Sequence, residues 1–126
     1  MGVLLAMRAK LTTLMGMMIT ASHNHKDDNG IKMIESDGSM LDMAWEPLAN
    51  EIANSKNLKQ TLIDFNESEE RLKFGFLESI FAPVSFVQTC FAMDTRETSP
   101  KLLDAAMKGC ELMGIQTNNF GLCTTP

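Results

Sequence analysis

The stretch GMMITASHNHKDDNGIK, residues 16–32, decides how the rest of the chain is read. It opens with an apolar run, Gly16 to Ile19, that stops abruptly at Thr20, Ala21, Ser22, His23 and Asn24, and it continues to Asn29, Gly30, Ile31 and Lys32. A short apolar run ending in small and polar residues reads as a buried strand that delivers a loop. The loop gathers one hydroxyl, one imidazole and one ammonium group, those of Ser22, His23 and Lys32.

Upstream, Leu4, Met7, Leu11 and Leu14 stand near helical spacing, which predicts a helix packing one face inward, broken by Gly16 before a strand over Met17 to Thr20. Downstream, Ile31 to Ile34 reads as a second short strand, and Ser36, Asp37, Gly38 and Ser39 as a turn. Trp45, Leu48, Ala49 and Ile52 follow i, i+3, i+4, i+7, with Asp42 as a cap and Pro47 in the first turn. Further helices are expected over Leu58 to Phe65 and Glu69 to Phe81, divided by Asn66 and ended by Pro83. Val84 to Ala92 is rich in strand formers and leads into a loop at Asp94, Thr95 and Arg96. Ser99 and Pro100 start a helix with the stripe Leu103, Ala106, Met107 and Cys110, closed by Gly114, and Ile115 to Thr117 begins a last strand. This alternation predicts an α/β fold with a mixed or mostly parallel sheet covered by helices.

A chain of 126 residues suits one domain, and 44% hydrophobic with 21% charged residues reads as soluble and globular. The formal charge of -5, with Lys and Arg scattered, argues against a nucleic-acid partner, because phosphate neutralisation calls for clustered cations. The acidic stretch at Glu67, Glu69 and Glu70 reads as a solvated helix face. Cys90, Cys110 and Cys123 are odd in number and far apart, which disfavours a disulfide framework and a zinc site and fits the cytoplasm. The apolar run Gly2 to Met7 is broken by Arg8 and Lys10 and is too short to span a membrane, so no membrane partner is expected. The 11 methionines, spread without a single stripe, read as core filling.

The serine loop resembles that of the α-D-phosphohexomutases, whose pattern is T-A/G-S-H-N-P followed by N-G-x-K, with the serine carrying a phosphoryl group. Three further segments carry the resemblance: Met40 and Leu41 through Trp45 and Glu46; Asp94, Thr95 and Arg96; and Gly121 through Thr124, Thr125 and Pro126. In this chain the last two come after the serine loop, an order similar to that of the phosphoacetylglucosamine mutase branch. The resemblance implies interconversion of N-acetylglucosamine 6-phosphate and 1-phosphate, serving UDP-N-acetylglucosamine biosynthesis. It covers residues 1–126 as a single, truncated first domain, thin between about residues 55 and 84.

The resemblance assigns the phosphoryl carrier to Ser22, proton transfer to His23 and Lys32, and substrate or phosphate binding to Asn24 and Arg96. Phosphorylated Ser22 would carry about -1.5 to -2 charges and needs a cation beside it. Lysines are ordinarily charged at neutral pH, so Lys32 suits the charge clamp or acid first. The resemblance also implies Mg²⁺, touched here through the Ser22 phosphate alone, because the family's D-G-D-x-D loop is not in this sequence. Its only Asp-Gly pair, Asp37 and Gly38, reads as a turn, and His25, Lys26, Asp27 and Asp28 as solvent-facing loop. The family's opening G-T-A-G-F-R segment and its later sugar-recognition and phosphate-gripping segments have no counterpart, and the family continues into a helix beyond Pro126. Inside the retained motifs, His25 stands where the family has proline and Met93 where it has arginine. A hexosamine phosphate partner and self-association through exposed domain-contact surface follow as expectations. The alternative is a non-catalytic α/β fragment or degenerate paralogue acting as an interaction module.

Overall fold

A computed structural model describes residues 1–68 and 86–124. The helix expected over Glu69 to Phe81, Pro83 at its end, and Thr125 and Pro126 lie outside the described residues. The described elements run α1 (Gly2–Thr12), β1 (Leu14–Ile19), β2 (Ile31–Ile34), a 3-10 turn (Met43–Trp45), α2 (Glu46–Asn54), α3 (Leu58–Glu67), β3 (Gln88–Met93), α4 (Ser99–Leu112) and β4 (Gln116–Leu122).

Leu14 and Gly16 belong to β1, not to a helix and its break. Thr13 closes α1 in the left-handed region, with φ 70, and the chain turns directly into the strand. Helical spacing alone could not exclude Leu14, because its periodic position coincides with the first strand residue. The expected division at Asn66 is also displaced: α3 runs through it to Glu67, where Ser68 donates its hydroxyl to the Phe65 carbonyl at 2.7 Å. The cap at Asp42 is present, accepting from the Ala44 N–H at 2.9 Å, and Pro47 sits in the first turn of α2.

The sheet is mixed, in order β2-β1-β3-β4: β1 runs antiparallel to β2 and parallel to β3, and β3 runs parallel to β4. Register sorts the side chains by face. Met15, Met17 and Ile19 share a buried face with Met33, Thr89 and Phe91, and α1 and α4 pack against β1 and β3. Gly16 and Met18 share the other with Lys32, Ile34, Cys90 and Ala92, where a groove of about 430 Å³ opens.

Helix α1 is buried on more than the one face its pattern suggested. Gly2 to Met7 and Ala9 are all buried, as expected of a helix apolar all round that lies between neighbours. Trp45, Leu48, Ile52 and Phe65 bring α2 and α3 into the same core, and Arg8 lies 5.2 Å from the Trp45 ring centroid while bonding Glu35 at 2.9 Å. Four of the methionines, Met7, Met15, Met17 and Met33, fill this interior, whereas Met18 lines the groove on the other face and Met43 is 80% exposed.

α1 and α4 approach so closely that Cys110 Sγ meets the Gly2 carbonyl at 3.2 Å, and burial pushes the Cys110 thiol up to about 11. A Cβ on Gly109 would stand 2.8 Å from the Val3 nitrogen. Gly109→Ala is therefore expected to lower stability by about 1–3 kcal/mol, as overpacking does. Urea unfolding followed by circular dichroism checks this, and an unchanged midpoint would show the helices free to separate.

Candidate functional site

Parallel pairing sets the ends of β1 and β3 side by side, the edge of an α/β sheet where loops form sites. The Asp94 N–H donates to the Ile19 carbonyl at 3.0 Å, so the loop after β3 is tied to the last residue of β1. From β1 the chain enters the serine loop through buried Thr20, whose Oγ1 accepts the Ser22 N–H at 3.1 Å. Ser22 takes φ 52, a left-handed conformation that costs a non-glycine residue energy and needs outside support.

That support comes from Arg96. Its Nη2 donates to the carbonyls of Ser22 and Asn24, each at 3.1 Å, and its Nη1 pairs with Asp94 Oδ2. The guanidinium thus holds the main chain of the loop, with its side chain 12% exposed. Asp94 is satisfied from several sides. Burial pushes its carboxyl up, but the Arg96 N–H at 3.0 Å, the Ser99 hydroxyl at 2.8 Å, the Thr20 hydroxyl and the guanidinium outweigh this and hold it down at about 2.

Lys32 stands opposite Met18 on antiparallel β2, and its Nζ donates to Ser22 Oγ at 3.2 Å. Serine and lysine, separated by a ten-residue excursion, are brought together because β2 returns along β1. The excursion closes with the Thr20 N–H donating to the Gly30 carbonyl at 2.9 Å. His23 and Asn24 are exposed beside Ser22, and among the described residues no hydrogen bond joins the His23 side chain to Ser22 or Lys32. Ser22, Lys32 and Arg96 are therefore in contact, while His23 and Asn24 face solvent with Asn24 held through its backbone.

His25, Lys26, Asp27 and Asp28 are all exposed. His25 makes local contacts: its carbonyl accepts the Asp28 N–H at 2.9 Å, and its ring lies 3.3 Å from the Asp27 carboxylate. Met93 packs partly buried against the core. Asp37 and Gly38 form a turn, with Asp37 Oδ1 accepting from the Ser39 N–H and hydroxyl at 2.9 and 2.7 Å, which lowers the Asp37 pKa. Among the described residues no group of three or more His, Cys, Asp or Glu could hold a metal ion.

Sequence reasoning singled out neither Asn29 nor Ser99 as parts of this site. Asn29 Nδ2 donates to Thr98 Oγ1 and Ser99 Oγ, both at 2.9 Å, tying the loop to the start of α4. The N-G-x-K pattern contained Asn29, but a partner seventy positions away has no local signal.

Residues 2–60 match the family model described as phosphoglucomutase/phosphomannomutase, alpha/beta/alpha domain I. The chain is 40% identical over 131 residues to a phosphoacetylglucosamine mutase of Oryza sativa subsp. japonica, an alignment covering 99% of this chain and 22% of that protein. A solved N-acetylglucosamine-phosphate mutase, described as a member of the α-D-phosphohexomutase superfamily in the apo form, superposes with TM-score 0.75 at 32% identity, over 98% of this chain and 26% of the other. The fold also matches that of Aspergillus fumigatus N-acetylphosphoglucosamine mutase in complex with GlcNAc-6P and magnesium, with TM-score 0.65 at 23% identity, over 98% of this chain and 22% of the other. The chain spans 22% of the length of the curated relative it matches, and over that span it is similar to phosphoacetylglucosamine mutases, the family match falling on the first-domain region.

The Asp94 cluster carries a pH signature. A carboxyl held at about 2 stabilises the fold above the unfolded value near 3.9 and loses that contribution as pH falls toward 2. Asp94→Asn is expected to cost about 1–2 kcal/mol at pH 7, with the gap to the unaltered chain closing between about pH 4 and 2. Denaturation at a series of pH values measures it, and a gap independent of pH would contradict the ionic origin.

Proposed function

We propose that this first-domain relative of the phosphoacetylglucosamine mutases carries the phosphoserine half of their reaction, with Ser22 as the residue that holds and transfers the phosphoryl group. The observation that supports it best is Lys32 Nζ at 3.2 Å from Ser22 Oγ on a loop bent to φ 52. A serine hydroxyl is a weak phosphate acceptor unless charge and position are supplied, and phosphoryl transfer depends mainly on those two terms. Lys32 supplies charge at the transferring oxygen, and the Arg96 clamp supplies position.

In the transfer, the bond from phosphorus to Ser22 Oγ breaks as the bond to a sugar hydroxyl forms. Lys32 donates a proton to the departing serine oxygen, and His23, exposed on the same loop, takes the proton from the sugar. Asn24, exposed beside Ser22, and Arg96, which holds the loop's carbonyls, are assigned to binding the phosphate or substrate. The bisphosphorylated sugar then reorients and returns its other phosphate to Ser22, leaving N-acetylglucosamine 1-phosphate from the 6-phosphate or the reverse.

The residues present do not make a magnesium site by themselves, since no acidic cluster stands among the described ones. Mg²⁺ would meet this chain at a phosphate oxygen on Ser22, with its other ligands drawn from elsewhere in a complete enzyme, and no step is assigned through it. The same holds for the sugar's remaining contacts. We place the chain in the cytoplasm, in keeping with three free cysteines. Among the described residues no helix is long and apolar enough to cross a membrane.

A second reading, an interaction module, is favoured by the groove of about 430 Å³ on the sheet face that carries Met18, Ala92 and, at its rim, Met40 and Phe120. Under it, the face is covered by another polypeptide or a second copy, and Ser22 is incidental.

Incubating the chain with glucose 1,6-bisphosphate and Mg²⁺, then measuring intact mass and mapping peptides, is expected to place one phosphate on Ser22. Lys32→Met is expected to slow the labelling roughly a hundredfold, in line with loss of one electrostatic contact to a transferring group. Absence of label, or label that persists in Ser22→Ala, would leave the interaction module as the better account.

A further inference from the structure

A closed ring of hydrogen bonds begins and ends at Ser22. Arg96 holds the Ser22 carbonyl and pairs with Asp94; Asp94 accepts the Ser99 hydroxyl at 2.8 Å; Ser99 Oγ accepts from Asn29 Nδ2 at 2.9 Å. Asn29 Oδ1 accepts the Gly30 N–H at 2.9 Å, the Gly30 carbonyl accepts the Thr20 N–H at 2.9 Å, and Thr20 Oγ1 accepts the Ser22 N–H at 3.1 Å.

The ring has a fixed polarity. A carboxylate has no proton to give, so the Ser99 hydroxyl commits its one proton to Asp94 and can only accept from position 29. At the other end, the Gly30 N–H can only donate. Position 29 therefore needs a donor toward Ser99 and an acceptor toward Gly30, on one side chain of this length. An amide meets both demands, and an ionised carboxylate of the same shape meets one. Space is equally restricted, since a Cβ on Gly30 would stand 3.2 Å from the Thr20 carbonyl. Ser99 is fully buried and Thr20 is 2% exposed, so water cannot readily substitute for a lost partner there.

We propose that Asn29 is a positioning residue that sets the Ser22 hydroxyl against Lys32 through this ring, and that the amide, with its two-sided polarity, is the group required there. The proposal rests on the phosphoserine reading for its consequence in catalysis, but the ring itself is testable without it. Asn29 spends its amide on Thr98, Ser99 and Gly30 rather than on Ser22 or Lys32. It acts on the loop by fixing Gly30 against Thr20 on one side and Ser99 against Asp94 on the other.

Amide hydrogen exchange resolved by residue, on the full chain, compares Asn29→Asp and Asn29→Ala with the unaltered sequence. Both variants are expected to exchange the Ser22 and Asn24 amides roughly tenfold faster, the effect of one lost part-buried hydrogen bond, with β1 and α1 amides unchanged. As pH falls through about 4, the new carboxyl of Asn29→Asp regains a proton to donate, and its loop should return toward the original rate while Asn29→Ala does not. Asp94, on the far side of Ser99 and paired with Arg96, is held down at about 2 and keeps its charge over most of that range. Adding Ser99→Ala to Asn29→Ala should add little, because both cut the same ring.

In the phosphate-labelling assay, Asn29→Asp should slow Ser22 modification at neutral pH with recovery in the same acid range. Unchanged loop exchange, or acceleration shared equally by β1 and α1, would overturn the proposal. Failure of the unaltered chain to accept phosphate would count against the phosphoserine reading, while the exchange result would still decide the ring.

Discussion

Everything at the serine loop depends on the parallel pairing of β1 with β3, which runs from Leu14 opposite Gln88 to Ile19 opposite Met93. Parallel strands end at the same edge, so the pairing delivers Thr20 to Asn24 beside Asp94 to Arg96, although the two segments are far apart in sequence. Burial maintains the pairing: Met15, Met17 and Ile19 face the same interior as Thr89 and Phe91, under α1 and α4. A slip of one residue would turn these side chains toward the open face and carry Ser22 away from Arg96. The apolar core is thus the means by which a reactive hydroxyl is placed.

Two kinds of cation serve the loop, and their surroundings separate their tasks. Arg96 presents a planar fork to main-chain carbonyls and a carboxylate, an arrangement that exploits fixed geometry. Lys32 presents a single charge to Ser22 Oγ from the neighbouring strand. The first stabilises a left-handed residue that would otherwise relax, and the second sets a charge against the serine oxygen, where the proposed phosphoryl group would sit. With Arg96 engaged by Asp94 and the carbonyls, Lys32 is the cation in direct contact with the serine oxygen. With the loop held by Arg96, Met93 packs partly buried against the core and takes no part in holding it.

Much of this was legible in the residues. The β2 strand over Ile31 to Ile34, the helix beginning at Ser99 and the turn at Asp37 and Gly38 follow from local pattern, where spacing and turn chemistry speak directly, whereas the Ser22 and Lys32 pair is singled out by the loop's resemblance to a family motif. The extent of α1 did not, because Leu14 continues its periodicity into the strand, and Gly16 serves in β1 where Ile34 packs across from it, 3.4 Å from where a Cβ would lie. The Arg96 guanidinium could be recognised as a cation near the site, but its direction toward carbonyls is set by three-dimensional placement. Asn29 and Ser99 are further still from view, for their contact is made by tertiary structure alone.

The central claim is that Ser22 is a phosphoryl carrier whose charge is answered by Lys32. Phosphorus NMR of the Ser22-phosphorylated chain, titrated across neutral pH, tests it most directly. A phosphoserine ordinarily loses its second proton near pH 6. The account predicts a value shifted clearly below that, moving back up in Lys32→Met. An ordinary value that Lys32→Met leaves unchanged would contradict it.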